Sequence, residues 1–213
     1  MSSPRLEKRL RLPVPLVGVA VLLALALPAS ALALTMPPPS IELPDTRPIV
    51  KLARVELDKR VAERRGNNVP RYRNGKGRVA PYSIKDAWCV AFTTWIWNRA
   101  GFDDYLGTRY LRRSRDRTTV AVQVTDMTRW AMKSGYFSYR ARPGFAVVYG
   151  GRHMGIVRKV DRDGRAVLSI EGNKSNRVRS VRVPMDEVTG YISPFQIFAA
   201  MKIPRTSKFA DVD

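Results

Sequence analysis

The chain holds one cysteine and one histidine, Cys89 and His153. Together they could form a nucleophile and its base. A thiol attacks carbonyl carbon as the thiolate, and imidazole is the side chain whose ordinary pKa lets it move a proton near neutrality. One cysteine excludes an internal disulfide framework, and one of each excludes a Cys/His zinc cluster. Cys89 lies in DAWCVAF. A free cysteine is most often a small buried hydrophobe. Asp86 as a helix N-cap would instead place Cys89 in the first turn, where the helix dipole favours a thiolate. Ser83 is the other candidate cap, with Asp86 as a capping-box acid, and it would move Cys89 one turn inward. The aromatic residues just before the thiol, Tyr82 and Trp88, are candidate walls of a substrate groove.

His153 lies in GGRHMGIV, at the start of a strand and after a Gly-Gly turn. A side chain there can face a cleft at the rim of a sheet. The next hairpin turns within Asp161-Arg162-Asp163-Gly164-Arg165. A two-residue Asp163-Gly164 turn pairs Arg162 with Arg165 and sets Glu171 opposite Ile156, away from His153. A three-residue loop over 162–164 pairs Asp161 with Arg165, with Gly164 left-handed. In that register Asn173 lies across from His153 and Glu171 across from Gly155. All three polar side chains then share a face, because strand side chains alternate. Sequence favours the shorter turn, whereas an imidazole–carboxylate contact needs the longer one.

These residues need elements to hold them. Val50, Ala53, Leu57 and Val61 recur at helical spacing, so an amphipathic helix is expected over 49–65, stopped by Gly66-Asn67-Asn68. Residues 67–82 read as loop. Ala87–Ala100 is apolar all round, as in a buried central helix, and Gly101 ends it. A shorter helix is expected over Thr125–Lys133, capped by Thr125 or Asp126 and stopped at Gly135. After Pro143-Gly144 come β-branched runs, FAVVYG, HMGIVRKV, AVLSI and VRSVRV, with Phe195–Met201 as a closing strand. Helices followed by an antiparallel sheet make an α+β arrangement.

Arg5, Lys8, Arg9 and Arg11 precede the apolar run Leu16–Leu27, and Ala29-Ser30-Ala31-Leu32-Ala33 follows Pro28. These are the parts of a secretory signal peptide, with cleavage after Ala31 or Ala33. No charge falls between Leu12 and Ile41, so an uncleaved membrane anchor is the alternative. Either reading puts the remainder outside the cytoplasm. Residues 34–48 are a proline-rich linker and 201–213 a tail. The formal net charge is +20. Cleavage after Ala33 removes four positive charges and one negative, leaving +17. The basicity thus belongs to the exported part, whose polyanionic partner is expected to be the cell envelope, not nucleic acid. Segment 109–117, with Arg109, Arg112, Arg113, Arg115 and Arg117 against Asp116, is the candidate contact with anionic wall polymers or lipid head groups.

AWCVAFTTWIWNRAG resembles the cysteine motif of CHAP domains, the cysteine- and histidine-dependent amidohydrolase/peptidase family. RPGFAVVYGGRHMGIVRKV is similar to that family's histidine motif, and LSIEGN to its third motif, all in the family's order over about residues 49–200. The resemblance implies a papain-like α+β fold with helices packed on a small antiparallel sheet. It implies hydrolysis of amide bonds in peptidoglycan, by an amidase or endopeptidase that needs no metal or organic cofactor. Cys89 would be the nucleophile, His153 the base, Glu171 the group orienting the imidazole and Asn173 a fourth polar member. Two positions depart from the family: Phe145 where an acid is usual after Pro-Gly, and Arg152 where glycine often precedes the histidine. Arg152 could face a stem-peptide carboxylate or be a solvated charge. A monomer is expected. A non-catalytic envelope-binding protein and a cysteine acyltransferase with an amine acceptor are the competing classes.

Overall fold

The structure is a computed structural model, and it describes residues 43–73, 77–107, 111–114 and 117–197. The expected signal segment, most of the linker and the C-terminal tail lie outside the described residues. So do Arg109 and Arg115.

Three α-helices, α1 (Arg47–Asp58), α2 (Cys89–Arg99) and α3 (Val124–Ser134), precede all the strands of the sheet. Its strands are β1 (Phe137–Ser138), β2 (Ala146–Tyr149), β3 (His153–Val160), β4 (Ala166–Glu171), β5 (Arg179–Pro184) and β6 (Val188–Ile192). They pair antiparallel in the order β1-β6-β2-β3-β4-β5. The α+β class is therefore present. Helical structure is not confined to the N-terminal part, since a 3-10 turn, Met185–Glu187, sits between β5 and β6. Among the described residues no helix is long and apolar enough to cross a membrane.

Alternation along the strands builds a core on each face of the sheet. Ala146, Val148, Met154, Ile156 and Ile170 pack with α2, whose Val90–Thr94 stretch is buried. Val147, Tyr149, Val157, Val167 and Val183 form the other core, with Phe145 and Phe195. Phe145, which stands where the resembled family has an acid, is thus a core residue.

Several expected boundaries move. α1 ends at Asp58, seven residues before Arg65, because Arg60 turns left-handed at φ 51°. The chain then enters a ladder in which Ala62 bridges both Arg71 and Arg177, and Arg71 bridges Val79. Part of the expected loop is therefore bridged backbone. The expected linker ends two residues early, at the start of α1. α3 has Gln123 at its N-cap, in extended conformation and with no side-chain cap bond, so neither Thr125 nor Asp126 caps it. The sheet is closed by β6 and β1 rather than by Phe195–Met201. Phe195 and Ile197 lie outside the strands, and 198–201 lie outside the described residues.

Candidate active site

Cys89 is the first residue of α2 and is 5% exposed. Asp86 does not cap the helix. Its Oδ1 accepts from the Ala87 N–H, and the helix starts two residues later with Trp88 at the N-cap. Trp88 has no acceptor to close its own turn. With its amide turned to satisfy both neighbours, Asn173 supplies one: Oδ1 accepts from the Trp88 N–H (3.2 Å) and Nδ2 donates to Glu63 Oε1 (3.0 Å). Glu63 Oε1 also accepts from Trp88 Nε1 (2.6 Å). The cap comes from across the fold and still leaves Cys89 in the first turn, whose N–H groups have no intrahelical acceptor.

Gly172 fixes how closely that helix end approaches the sheet. A Cβ at this position would overlap Phe92 Cβ and crowd the Trp88 ring. Only glycine lets α2 settle against the end of β4, and this sets Cys89 beside the start of β3.

The hairpin between β3 and β4 obeys both registers considered from sequence. Near the turn, Val160 pairs with Val167 and the Asp161 N–H donates to the Ala166 carbonyl (2.9 Å), the register of the two-residue turn on a longer loop. A bulge at Arg158 then shifts the pairing by one, so Val157 meets Ser169 and Ile156 meets Ile170, the register of the three-residue loop. The bulge, not the turn, brings Glu171 over Gly155, where a Cβ would overlap the glutamate Cγ.

His153 Nε2 lies 3.0 Å from Glu171 Oε2. Its N–H is not aimed along that line, so the contact is a close ion pair rather than a straight hydrogen bond. Oε2 also accepts from Tyr149 Oη (2.7 Å), and Oε1 accepts from Ser169 Oγ. Lys174 Nζ donates to Tyr149 Oη (2.9 Å) and sits 4.9 Å from that ring's centre. Tyr149 also pairs across the strands with His153, ring edge to face at 5.6 Å.

The Cys89 sulfur is the imidazole's other polar neighbour, and it and Glu171 together decide the charge of the ring. Burial alone would push the His153 pKa down; the Cys89 sulfur and the Glu171 carboxylate outweigh it and raise it to about 9. Burial likewise pushes Glu171 up, but the His153 ring beside it and donation from Ser169 and Tyr149 prevail and hold it below the usual carboxylate value. Burial and Glu171 push Tyr149 up, so its hydroxyl stays protonated and remains a donor. The arrangement favours an imidazolium between the Cys89 sulfur and the Glu171 carboxylate.

Comparison with protein-family models, with curated proteins and with solved structures returned no match. The chemistry of the site is therefore argued from its own geometry.

The structure brings Cys89, His153 and Glu171 together. Asn173 goes elsewhere. β4 ends at Glu171 and Asn173 turns left-handed at φ 60°, so it leaves the ladder and holds the N-terminus of α2 instead of facing the ring. Tyr82 and Trp88 are not groove walls. Both are fully buried, stacked on each other at 5.6 Å, with Tyr82 Oη donating to Glu56 Oε2 (2.9 Å). Apolar rings beside a nucleophile serve the core here. Arg152 is exposed in the turn before β3. Sequence reasoning missed Tyr149, Ser169 and Glu63. The first was readable from the Gly150-Gly151 turn, which pairs Tyr149 with His153, and the second from its i−2 relation to Glu171. Glu63 carried no comparable signal. Among the described residues no group of three His, Cys, Asp or Glu side chains is placed to hold a metal.

Proposed function

We propose that this chain is an exported cysteine hydrolase that cleaves amide bonds in the peptide part of peptidoglycan, with a papain-like arrangement of nucleophile and base. One observation carries the reading: the only cysteine and the only histidine of 213 residues meet at a helix N-terminus, with a buried carboxylate behind the imidazole. In this mechanism the Cys89 thiolate attacks the amide carbonyl. First-turn N–H groups of α2 stabilise the oxyanion. The C–N bond breaks as the His153 imidazolium gives its proton to the leaving amine. Water then attacks the thioester, imidazole takes the water proton, and the acid product leaves as the thiolate reforms. Glu171 holds the ring throughout and stabilises its positive charge whenever the imidazolium forms.

The peptidoglycan assignment rests on the motif resemblance and on the export signal with its basic mature chain. The test is mass spectrometry of muropeptides released from sacculi by the purified protein. New free amines or stem peptides from wild type, absent with Cys89→Ala, support the reading. Equal release by both ends it.

The 5% exposure of Cys89 favours a second reading, an envelope-binding domain that keeps the site without turnover. Iodoacetamide separates the two. A reactive thiolate alkylates at pH 6–7, where an ordinary thiol of pKa about 8.5 is slow.

A further inference from the structure

A second basic stretch lies apart from 109–117. Residues 59–79 carry eight Lys and Arg against one acid, Glu63. Described residues of this stretch line a groove of about 520 Å³, among them Arg64, Arg65, Arg71, Arg73, Glu63 and Tyr72. All four arginines are exposed. The one carboxylate in the groove is committed elsewhere: Oε1 to Trp88 Nε1 and Asn173, Oε2 to the Asn68 N–H (2.8 Å). Arg71 Nη1 donates to the Gly77 carbonyl (2.9 Å), which fixes its guanidinium at the rim. Arg64, Arg65 and Arg73 make no side-chain pair with another described residue.

The groove is also built in advance. Ala62 and Arg71 exchange both backbone hydrogen bonds (3.0 and 2.9 Å), and Tyr72 N–H donates to the Arg78 carbonyl (2.9 Å). Glu63 N–H donates to the Asn176 carbonyl (2.8 Å), tying the groove to the loop that follows Glu171. Four guanidinium forks against one carboxylate, Glu63, whose oxygens already accept from neutral donors, suit an oxyanion that can accept more than one fork. A phosphate oxyanion does that better than a single carboxylate.

We propose that this groove binds the phosphodiester groups of an anionic polymer, at a site apart from Cys89. A polymer fits better than a membrane surface because the arginines line a concavity. The site is independent of hydrolysis, so its test reads binding and can use Cys89→Ala protein.

The probe is soluble poly(glycerol phosphate), titrated calorimetrically into full-length protein at 50 and 200 mM salt. Polyglutamate and vesicles containing phosphatidylglycerol are parallel arms. Wild type should bind the phosphate polymer and lose about fiftyfold in affinity across that salt range, if all four arginines engage phosphates. Arg64→Gln with Arg73→Gln should lose about tenfold at 50 mM, from the charge-assisted bonds removed. Arg112→Gln with Arg113→Gln, also exposed and also a loss of two charges, should lose less than about threefold. Circular dichroism checks that both variants fold, and Arg65→Gln replaces the first pair if it does not. Equal losses in the two variants would show a diffuse charge effect and overturn the site. Polyglutamate binding as tight as phosphate would overturn the phosphate assignment, and tighter binding to vesicles would overturn the polymer. No binding by wild type would overturn the proposal outright.

Discussion

His153 is held at a pKa of about 9 by the sulfur and the carboxylate on either side of it, against the pull of burial. A raised folded-state value means the stabilisation is complete below the unfolded value near 6.5 and disappears as pH rises through about 9. Activity that needs the imidazolium should therefore fall on a basic limb near pH 9. A limb near 6.5 would show that the ring is not paired. Glu171 works in the opposite sense. Its lowered pKa contributes stability above the ordinary carboxylate value, and that is lost as pH falls through the lowered one. Glu171→Gln should move the basic limb downward by about one unit or more, through loss of the charge beside the ring. Tyr149→Phe removes one donor and unseats Lys174 Nζ, yet keeps the ring. The expected result is kcat down about 10-fold with KM little changed and the limb shifted, through one lost charge-assisted hydrogen bond. An unshifted pH profile would reduce Tyr149 to packing. The pairing of Cys89 with His153 was legible because the chain has no other residue of either type. The Tyr149–Lys174 extension was not, because it depends on which end of β4 the chain leaves by.

At the scale of elements, α2 and the β3–β4 hairpin share the work through two glycines. Gly172 admits Phe92 and Trp88, and Gly155 admits Glu171. Gly172→Ala should push the N-terminus of α2 off the sheet and cost about 1–3 kcal/mol, as overpacking does. Because Cys89 opens that helix, thiol alkylation at neutral pH should slow in parallel with the loss of stability. Gly155→Ala should strike Glu171 instead. It should lower the basic limb of activity while leaving α2 in place. If both variants behave alike, the two contacts are not separable. The central helix, the strands β2 to β5 and the α+β class could be read from periodicity and turn residues, whereas β1 and β6, which close the sheet, could not. The end of α1, the cap of α2 and the bulge at Arg158 could not. Each is set by a partner far along the chain, such as Asn173 for α2 or the Arg177 bridge for the segment after α1. The bulge is the instructive case. Local turn preference and the imidazole–carboxylate contact demanded different registers, and the strand satisfies both by inserting one residue between them.

Across the whole molecule the sequence carries a large excess of positive charge. The chain has 38 Lys and Arg against 18 Asp and Glu. Among the described residues, acids pair with Arg47, Lys59, Arg129 and Arg182, and Glu171 with His153. Most of these pairs are exposed and contribute little. The remaining cations repel one another, which opposes the folded state more than the expanded one. Added salt screens that repulsion, with a Debye length falling from about 30 Å at 0.01 M to about 8 Å at 0.15 M. Sodium chloride should therefore raise Tm over this range, by about 2–4 °C for each kcal/mol of repulsion relieved. The anion should matter as well. A groove with four guanidinium groups and one carboxylate takes up phosphate in the folded state only, and a ligand bound by the native state raises Tm by mass action. At matched ionic strength, phosphate should raise Tm above chloride, and Arg64→Gln with Arg73→Gln should abolish that difference while leaving the general salt effect. The same scans with Arg112→Gln and Arg113→Gln should keep the phosphate increment. Differential scanning fluorimetry in matched chloride and phosphate series decides it. A Tm that falls with salt would mean that local ion pairs, not global repulsion, govern the stability of this basic chain.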